Sequence, residues 1–218
     1  MPASDPGPAS TPIVNIDVYG DDASMGIASY GFGMPTMIKP ASASLQDALR
    51  KQFNDTGITV ANHATGGRAA SLPNLLDGMD GGGAAFAQRL TATQSTIVII
   101  SYGLNEQYGG ESVSDFSGYL AQAIQIVRDA GRRPVIETPS PTCDSDHPFT
   151  ANYAAAIKAA GATYNVPVID NYAAISALTD WRAHMDSTCT LPDESLQQFK
   201  ATQELAVIAP LVKAALGE

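Results

Sequence analysis

The residues of this 218-residue chain with the widest chemical use are its three histidines and two cysteines. A carboxylate beside an imidazole fixes its tautomer and stabilises its charged form, so an aspartate near a histidine suggests a general base. His147 follows Asp144 by three residues, and His184 follows Asp180 by four. Both histidines are candidates for the rim of a catalytic site, and ordinary surface positions are the alternative. We expect the third, His63, to be a rim residue.

The counts of charged and metal-binding residues exclude several classes of protein. Three histidines and two cysteines are too few for the usual structural zinc site, and we expect neither a metal nor a cofactor. Twelve Lys and Arg against 22 Asp and Glu give a net charge of −10. Nucleic acids and anionic membranes attract clustered basic residues, so neither is expected as a partner. No stretch approaches the roughly 20 apolar residues of a membrane span.

Five short apolar runs, rich in β-branched residues, alternate with longer segments of helical periodicity. The runs lie at 13–19, 58–62, 96–101, 134–138 and 166–170, and the helical segments at 43–53, 113–130, 150–162 and 196–216. Nearly continuous apolar runs are typical of parallel strands covered on both faces. We therefore predict an α/β fold, a doubly wound parallel five-stranded sheet with helices on both faces.

The first 12 residues, MPASDPGPASTP, have no apolar core of the kind found in signal peptides. We expect 1–12 to be a disordered lead-in, either an ordinary flexible tail or the segment left after removal of a signal peptide. Residues 13–218 are predicted to form one domain.

The predicted site lies where the strands end, because ligands of parallel α/β sheets bind at the carboxyl ends of the strands. Gly20-Asp21-Asp22 follows the first run, Gly67 lies after the second, and Gly103-Leu104-Asn105-Glu106 follows the third. In order and position these segments resemble the SGNH hydrolase superfamily, the GDSL-type esterases and lipases. The resemblance covers the chain after residue 12.

In that family the first strand ends in Gly-Asp-Ser, whose serine is the nucleophile. A glycine and an asparagine after the next two strands build the oxyanion hole, and Asp-x-x-His before the last helix supplies the acid and the base. The resemblance therefore implies an ester hydrolase with a three-layer sandwich fold. It assigns Gly67 and Asn105 to the oxyanion hole.

The departures from the family pattern all fall on the catalytic triad. Asp22 stands at the nucleophile position, so the chain reads Gly-Asp-Asp. Leu191 stands at the base position and Thr188 at the acid position, with no Asp-x-x-His between Asp170 and the C-terminus. A serine hydroxyl needs a base to become nucleophilic, and the base needs an acid to orient it. Natural drift or deliberate redesign could produce three such changes.

Three functions are consistent with these residues. The first is a domain of the ester-hydrolase lineage, for acyl or acetyl esters including those on carbohydrate, whose catalysis is impaired or redesigned. The second is a pseudoenzyme that binds a glycan or an ester, with aromatic rings stacking on sugars; the candidate rings are Tyr30, Phe32, Tyr102 and Tyr108. The third is a hydrolase that uses the carboxylates of Asp22 and Glu106 as a pair. Asp22 alone as a nucleophile is a variant of the third.

The predicted fold brings two loops together that carry Cys143 and Cys189, so a disulfide between them is expected, with free thiols as the alternative. A disulfide would fasten the base-bearing loop to its neighbour and indicate an oxidising compartment. We therefore expect a secreted or periplasmic protein whose partner is a small-molecule or glycan ester.

Overall fold

The computed structural model describes residues 13–31 and 34–217, and the expected lead-in at 1–12 lies outside them. Five parallel strands form the central sheet. They are β1 (Asn15–Gly20), β4 (Thr59–Asn62), β5 (Ile97–Ser101), β6 (Arg133–Glu137) and β7 (Val168–Ile169), in the order β4-β1-β5-β6-β7. Each strand overlaps one of the predicted apolar runs, so the predicted parallel sheet is confirmed.

Helices cover both faces of the sheet, because successive strand residues point to opposite sides. Ile97 and Ile99 of β5 pack with one group of helices, while Val98 and Ile100 pack with the other. The first group is α2 (Ala41–Phe53) and α9 (Glu194–Leu216); the second is α3 (Leu72–Asp77), α4 (Phe86–Ala92), α6 (Val113–Asp129) and α7 (Thr150–Tyr164). The predicted three-layer arrangement is confirmed. No helix within the described ranges is long and apolar enough to cross a membrane.

Short helices follow several strands and bring loop residues to the carboxyl edge of the sheet. They are α1 (Asp22–Met25) after β1, α5 (Leu104–Gly109) after β5 and α8 (Asn171–Ser176) after β7, and a 3₁₀ turn spans Trp181–His184. The last long helix, α9, begins after Asp193, whose carboxylate accepts a hydrogen bond from Leu196 N–H at 3.0 Å. Capping of this kind fixes where the preceding loop ends.

The short helices α1, α3, α4, α5 and α8 were not predicted, nor was a two-stranded antiparallel hairpin between α1 and α2. Its strands are β2 (Ile27–Gly31) and β3 (Met34–Met37). The hairpin carries Tyr30, while Phe32, another candidate aromatic, lies outside the described residues. Tyr102, a third candidate, is only 2% exposed and belongs to the core between the sheet and α6.

Candidate active site

The first turn after β1 holds the position that the resemblance assigns to the nucleophile. Asp21 caps α1, its carboxylate accepting a hydrogen bond from Ala23 N–H at 3.2 Å. A Cβ atom at Gly20 would lie 2.7 Å from the carbonyl oxygen of Ser101, so only glycine allows β1 and β5 to approach this closely. These constraints fix Asp22 as the first residue of α1, where it is 4% exposed.

In the part of the chain that the structure describes, three hydrogen-bond donors surround the carboxylate of Asp22. Its Oδ1 accepts from Gly67 N–H at 2.9 Å and from the hydroxyl of Tyr30. Its Oδ2 accepts from the side-chain amide of Asn105 at 2.7 Å. Burial and the hydrogen bond to Asp22 raise the pKa of Tyr30, so the hydroxyl keeps its proton at neutral pH. The carboxylate therefore holds the two groups that the resemblance assigns to an oxyanion hole.

Glu106 lies close by in sequence but has different contacts. Its carboxylate accepts hydrogen bonds from the backbone N–H groups of Gly103, at 2.7 Å, and Leu72, at 2.6 Å. Burial raises its pKa, and these backbone donors act in the opposite direction. Glu106 is 1% exposed and joins the turn before α5 to the start of α3. Through these contacts Glu106 stabilises a loop, and they give no support to a catalytic pair with Asp22.

The loop before α9 carries the positions that the resemblance assigns to the acid and the base. Leu191 is 4% exposed and packs with Ala23, Ile27 and Leu104. Thr188 is exposed, and its hydroxyl donates to Asp186 at 2.6 Å. Neither position brings an ionisable side chain to the site.

Asp186, which was not singled out from the sequence, organises this loop. Its Oδ1 accepts from the N–H groups of Thr190, at 2.8 Å, and Leu191, at 3.0 Å. Burial alone would raise the pKa of Asp186, but these hydrogen bonds and the one from Thr188 outweigh it and lower the pKa. The one available signal was local, since Asp followed by Ser and Thr favours a turn.

His147, from the loop after β6, forms a pair with Asp144. Nδ1 of the ring lies 2.8 Å from Oδ2 of Asp144, and the same oxygen accepts a hydrogen bond from the Tyr108 hydroxyl at 3.0 Å. The rings of His147 and Tyr108 are in contact, with centroids 4.2 Å apart. The hydrogen bond from His147 lowers the pKa of Asp144, so this carboxylate is ionised at neutral pH.

The other two histidines also have aspartate partners. His184 Nδ1 lies 3.0 Å from Asp193, and this contact raises the pKa of His184. His63 Nε2 lies 3.2 Å from Asp17, and its ring stacks on Tyr19. Within the described chain, neither histidine lines the cavity that Asp22 lines.

That cavity has a volume of about 750 Å³. Its wall combines polar groups from the strand ends, two tyrosines, a cation and apolar side chains: Asp22, Tyr30, Gly67, Arg68, Leu104, Asn105, Tyr108, Gly109, His147, Thr190 and Leu191. Cys143 and Cys189 form a disulfide that joins the loop after β6 to the loop before α9. His147 and Leu191 reach the cavity from these two loops.

The sequence of this chain matches a known protein family over most of its length. The sequence model of the GDSL-like Lipase/Acylhydrolase family matches residues 27–191, a stretch that begins after Asp22. No curated protein matches the chain.

Solved structures of esterases and lipases resemble the whole fold. A lipase/acylhydrolase from Enterococcus faecalis superposes with a TM-score of 0.71 at 14% identity, covering 91% of this chain and 96% of that one. The esterase EstA from Pseudoalteromonas sp. has a TM-score of 0.68 at 15% identity, with 91% and 98% covered. An aryl esterase from M. smegmatis has a TM-score of 0.67 at 16% identity, with 93% and 99% covered. At these identities the likeness shows the fold alone.

Proposed function

Because the chain belongs to the GDSL-like lipase/acylhydrolase family, we propose that it is an ester-hydrolase domain that has lost serine-dependent hydrolysis and kept its pocket. The pocket would bind acyl or acetyl esters, including those on carbohydrate. One observation carries the proposal: the carboxylate of Asp22 accepts the hydrogen bonds of Gly67 N–H and the Asn105 amide.

The contacts of Asp22 oppose the family's usual reaction for an electrostatic reason. An oxyanion hole works because its donors are free to stabilise the negative charge that develops on the substrate oxygen, and loss of one donor costs about 10²- to 10³-fold in rate. Here the donors already stabilise a carboxylate that is 4% exposed. A second negative charge at the same place would be repelled, so Asp22 both removes the nucleophilic hydroxyl and blocks the hole.

The base side of the site supports the same proposal. Leu191 has no proton acceptor, and its side chain fills its position by packing on Ala23 and Leu104. A serine placed at position 22 would therefore have no base at the family's usual place, and an unassisted hydroxyl is a poor nucleophile.

The surviving wall of the pocket suits the binding of a neutral ligand. Leu104 and Leu191 are apolar, and Tyr30 and Tyr108 offer aromatic rings. Tyrosine presents a large apolar face with a polar tip, a combination that accommodates sugar rings and acyl groups. A small-molecule or glycan ester is therefore the proposed ligand. The Cys143–Cys189 disulfide supports a secreted or periplasmic location, because such bonds persist in oxidising compartments.

Turnover of p-nitrophenyl acetate tests the proposal. We expect the native chain to hydrolyse it no faster than Asp22→Ala, which has no side-chain carboxylate. The triple variant Asp22→Ser, Thr188→Asp, Leu191→His restores the family's three groups, and we expect it to gain at least about 10³-fold.

The controls separate the effect of the blocked oxyanion hole from the effect of the missing base at position 191. Asp22→Ser alone should free the donors without supplying a base at position 191. Rapid turnover by the native chain that disappears in Asp22→Asn would contradict the loss of ester hydrolysis. A triple variant that folds and gains nothing would show that Thr188 and Leu191 are not the acid and base positions.

A further inference from the structure

The Asp144–His147 pair has the internal geometry of a general base. Nδ1 of His147 faces the Asp144 carboxylate at 2.8 Å, and within the described residues Nε2 has no hydrogen-bond partner. When Nδ1–H donates to a carboxylate, the lone pair of the neutral ring lies on Nε2, which can take a proton from water. His147 also lines the cavity that Asp22 lines.

Three further contacts hold this pair in place. The Tyr108 hydroxyl donates to the same carboxylate oxygen of Asp144 at 3.0 Å, and the Tyr108 ring contacts the imidazole. The neighbouring Cys143 is bonded to Cys189. A base held by several contacts meets the requirement of a catalytic group whose geometry exists before the substrate binds.

The two oxygens of Asp22 are held unequally, which matters for a carboxylate nucleophile. Among the described residues, Oδ1 accepts from two donors, Gly67 N–H and the Tyr30 hydroxyl, while Oδ2 accepts from the Asn105 amide alone. If Oδ2 formed a bond to a carbon atom, Oδ1 would become the carbonyl oxygen of an ester. Its two donors would then stabilise the negative charge that develops on Oδ1 when water attacks Cγ.

We propose that Asp22 and His147 form a nucleophile and base that hydrolyse alkyl compounds with a saturated carbon and an anionic leaving group. In the first step, Oδ2 of Asp22 bonds to the carbon while the bond to the leaving group breaks, and that group departs as an anion with the electron pair. The product is an alkyl ester of Asp22. An apolar chain of the substrate would lie against Leu104 and Leu191, which line the cavity.

Water regenerates the enzyme in the second step. Nε2 of His147 takes a proton from water, the water oxygen bonds to Cγ of Asp22, and the negative charge develops on Oδ1. The bond from Cγ to the alkyl oxygen then breaks, and the leaving alcohol takes the proton from His147. Asp22 regains its carboxyl group, which now holds one oxygen atom from the water, and one proton is released to solvent.

The substrate class follows from leaving-group chemistry. Attack of a carboxylate on an acyl carbon gives an intermediate from which the carboxylate leaves more readily than an alkoxide, so that reaction reverses. Displacement at a saturated carbon expels a stable anion and gives an ester, which is a covalent intermediate of the kind that carboxylate nucleophiles form. This activity is separate from the binding or hydrolysis of acyl esters.

The test uses 1-iodobutane as the probe and intact-mass spectrometry with peptide mapping as the readout. We expect the native chain to release iodide and butanol over many turnovers, and in ¹⁸O-labelled water to acquire the label in Asp22. His147→Gln should release iodide about 10²-fold more slowly after the first turnover and accumulate one butyl group on Asp22. Asp22→Asn should acquire no butyl group at position 22.

His184→Gln is the matched control, because His184 also contacts an aspartate but does not line the cavity in the described chain. It should behave as the native chain does. Asp144→Asn tests the orienting carboxylate and should also accumulate the butyl ester, which a purely structural role would not cause.

Several results would overturn the inference. These are the absence of a butyl group on Asp22 in both the native chain and His147→Gln, equal iodide release by these two proteins, or iodide release by Asp22→Asn at the native rate. The p-nitrophenyl acetate experiment uses another substrate and its own triple variant, and it shares only Asp22→Asn with this test, so the proposed loss of ester hydrolysis can stand when this inference fails.

Discussion

The two loops that the Cys143–Cys189 disulfide joins use their aspartates in opposite ways. In the loop after β6, Asp144 contacts the imidazole of His147, a group that can carry a proton. In the loop before α9, Asp186 accepts hydrogen bonds from backbone N–H groups, and the loop places Thr190 and the apolar Leu191 in the cavity wall. The family resemblance places the base on the second loop, yet the structure supplies a histidine to the cavity from the first.

The contrast shows that the chemistry of a loop depends on the groups that its carboxylate holds. A carboxylate that accepts hydrogen bonds from backbone N–H groups stabilises a turn, and its oxygens are then occupied by those groups. A carboxylate that binds an imidazole leaves the other ring nitrogen available for proton transfer. We therefore expect changes in the loop before α9 to affect stability, and changes in the loop after β6 to affect chemistry at the cavity.

Loss of the disulfide should have the largest effect, because it serves both loops. The bonded cysteines are 46 residues apart, and closing a loop of that length in the unfolded chain corresponds to about 4 kcal/mol. We expect Cys143→Ser with Cys189→Ser to lower the free energy of unfolding by about 3–4 kcal/mol in urea titrations. The native chain under reducing conditions is the control. A loss below about 1 kcal/mol would show that other contacts already hold the loops together.

The next largest difference is expected between the two loops, when one cavity residue of each is truncated to alanine and the free energy of unfolding is measured. Leu191 is 4% exposed and packed, so Leu191→Ala should lower the free energy of unfolding by about 3 kcal/mol. The side chain of His147 is 35% exposed, so His147→Ala should change stability by about 0.5 kcal/mol or less. Thermal and urea unfolding measure both. Equal losses would mean that His147 is a packing residue, and the contrast between the loops would fail.

Much of the fold could be predicted because apolar runs of β-branched residues identify buried parallel strands. The same patterns do not predict that charged residues of α9 are buried. Lys200 and Glu204, four residues apart, look like an exposed helical pair. In the structure both are buried, and Lys200 lies 3.2 Å from Glu137 of β6. Burial of a charge depends on a partner distant in sequence, which local periodicity cannot identify.

The sequence predicted which candidate residues lie close together better than it predicted their individual contacts. Strand ends placed Asp22, Gly67 and Asn105 together, as the resemblance implies. The donor from Tyr30 was not predictable, because it comes from a hairpin whose four- and five-residue strands carry no clear apolar alternation. The role of Asp186 depends on backbone N–H groups that side-chain patterns do not reveal.

A pH-dependent change is expected when Asp186 loses its charge. Hydrogen bonds to a charged acceptor are worth about 1.5 kcal/mol or more, so Asp186→Asn should lower the free energy of unfolding by about 1–2 kcal/mol at pH 7. The pKa of Asp186 is lowered in the folded protein. Its contribution is therefore present above the unfolded pKa of 3.8 and lost as pH falls through the folded pKa.

Urea titrations of Asp186→Asn and the native chain at pH 7 and at pH 3 measure this contribution to stability. Asp144→Asn is the comparison variant from the other loop. Asp144 is a partly exposed carboxylate, so its variant should change stability less than Asp186→Asn at pH 7. A larger loss for Asp144→Asn would reverse the assignment of structural and chemical roles to the two loops.

The smallest expected effect concerns His184, which lies near the second loop and contacts Asp193, the residue that caps α9. The hydrogen bond to Asp193 raises the pKa of His184 above its ordinary value of 6.5. A raised pKa stabilises the fold below 6.5, and this contribution is lost as pH rises through the folded pKa. His184→Gln should therefore lower the melting temperature slightly at pH 5.5 and hardly at pH 9. The same shift at both values would show that His184 acts by packing and not by its charge on the Asp193 cap.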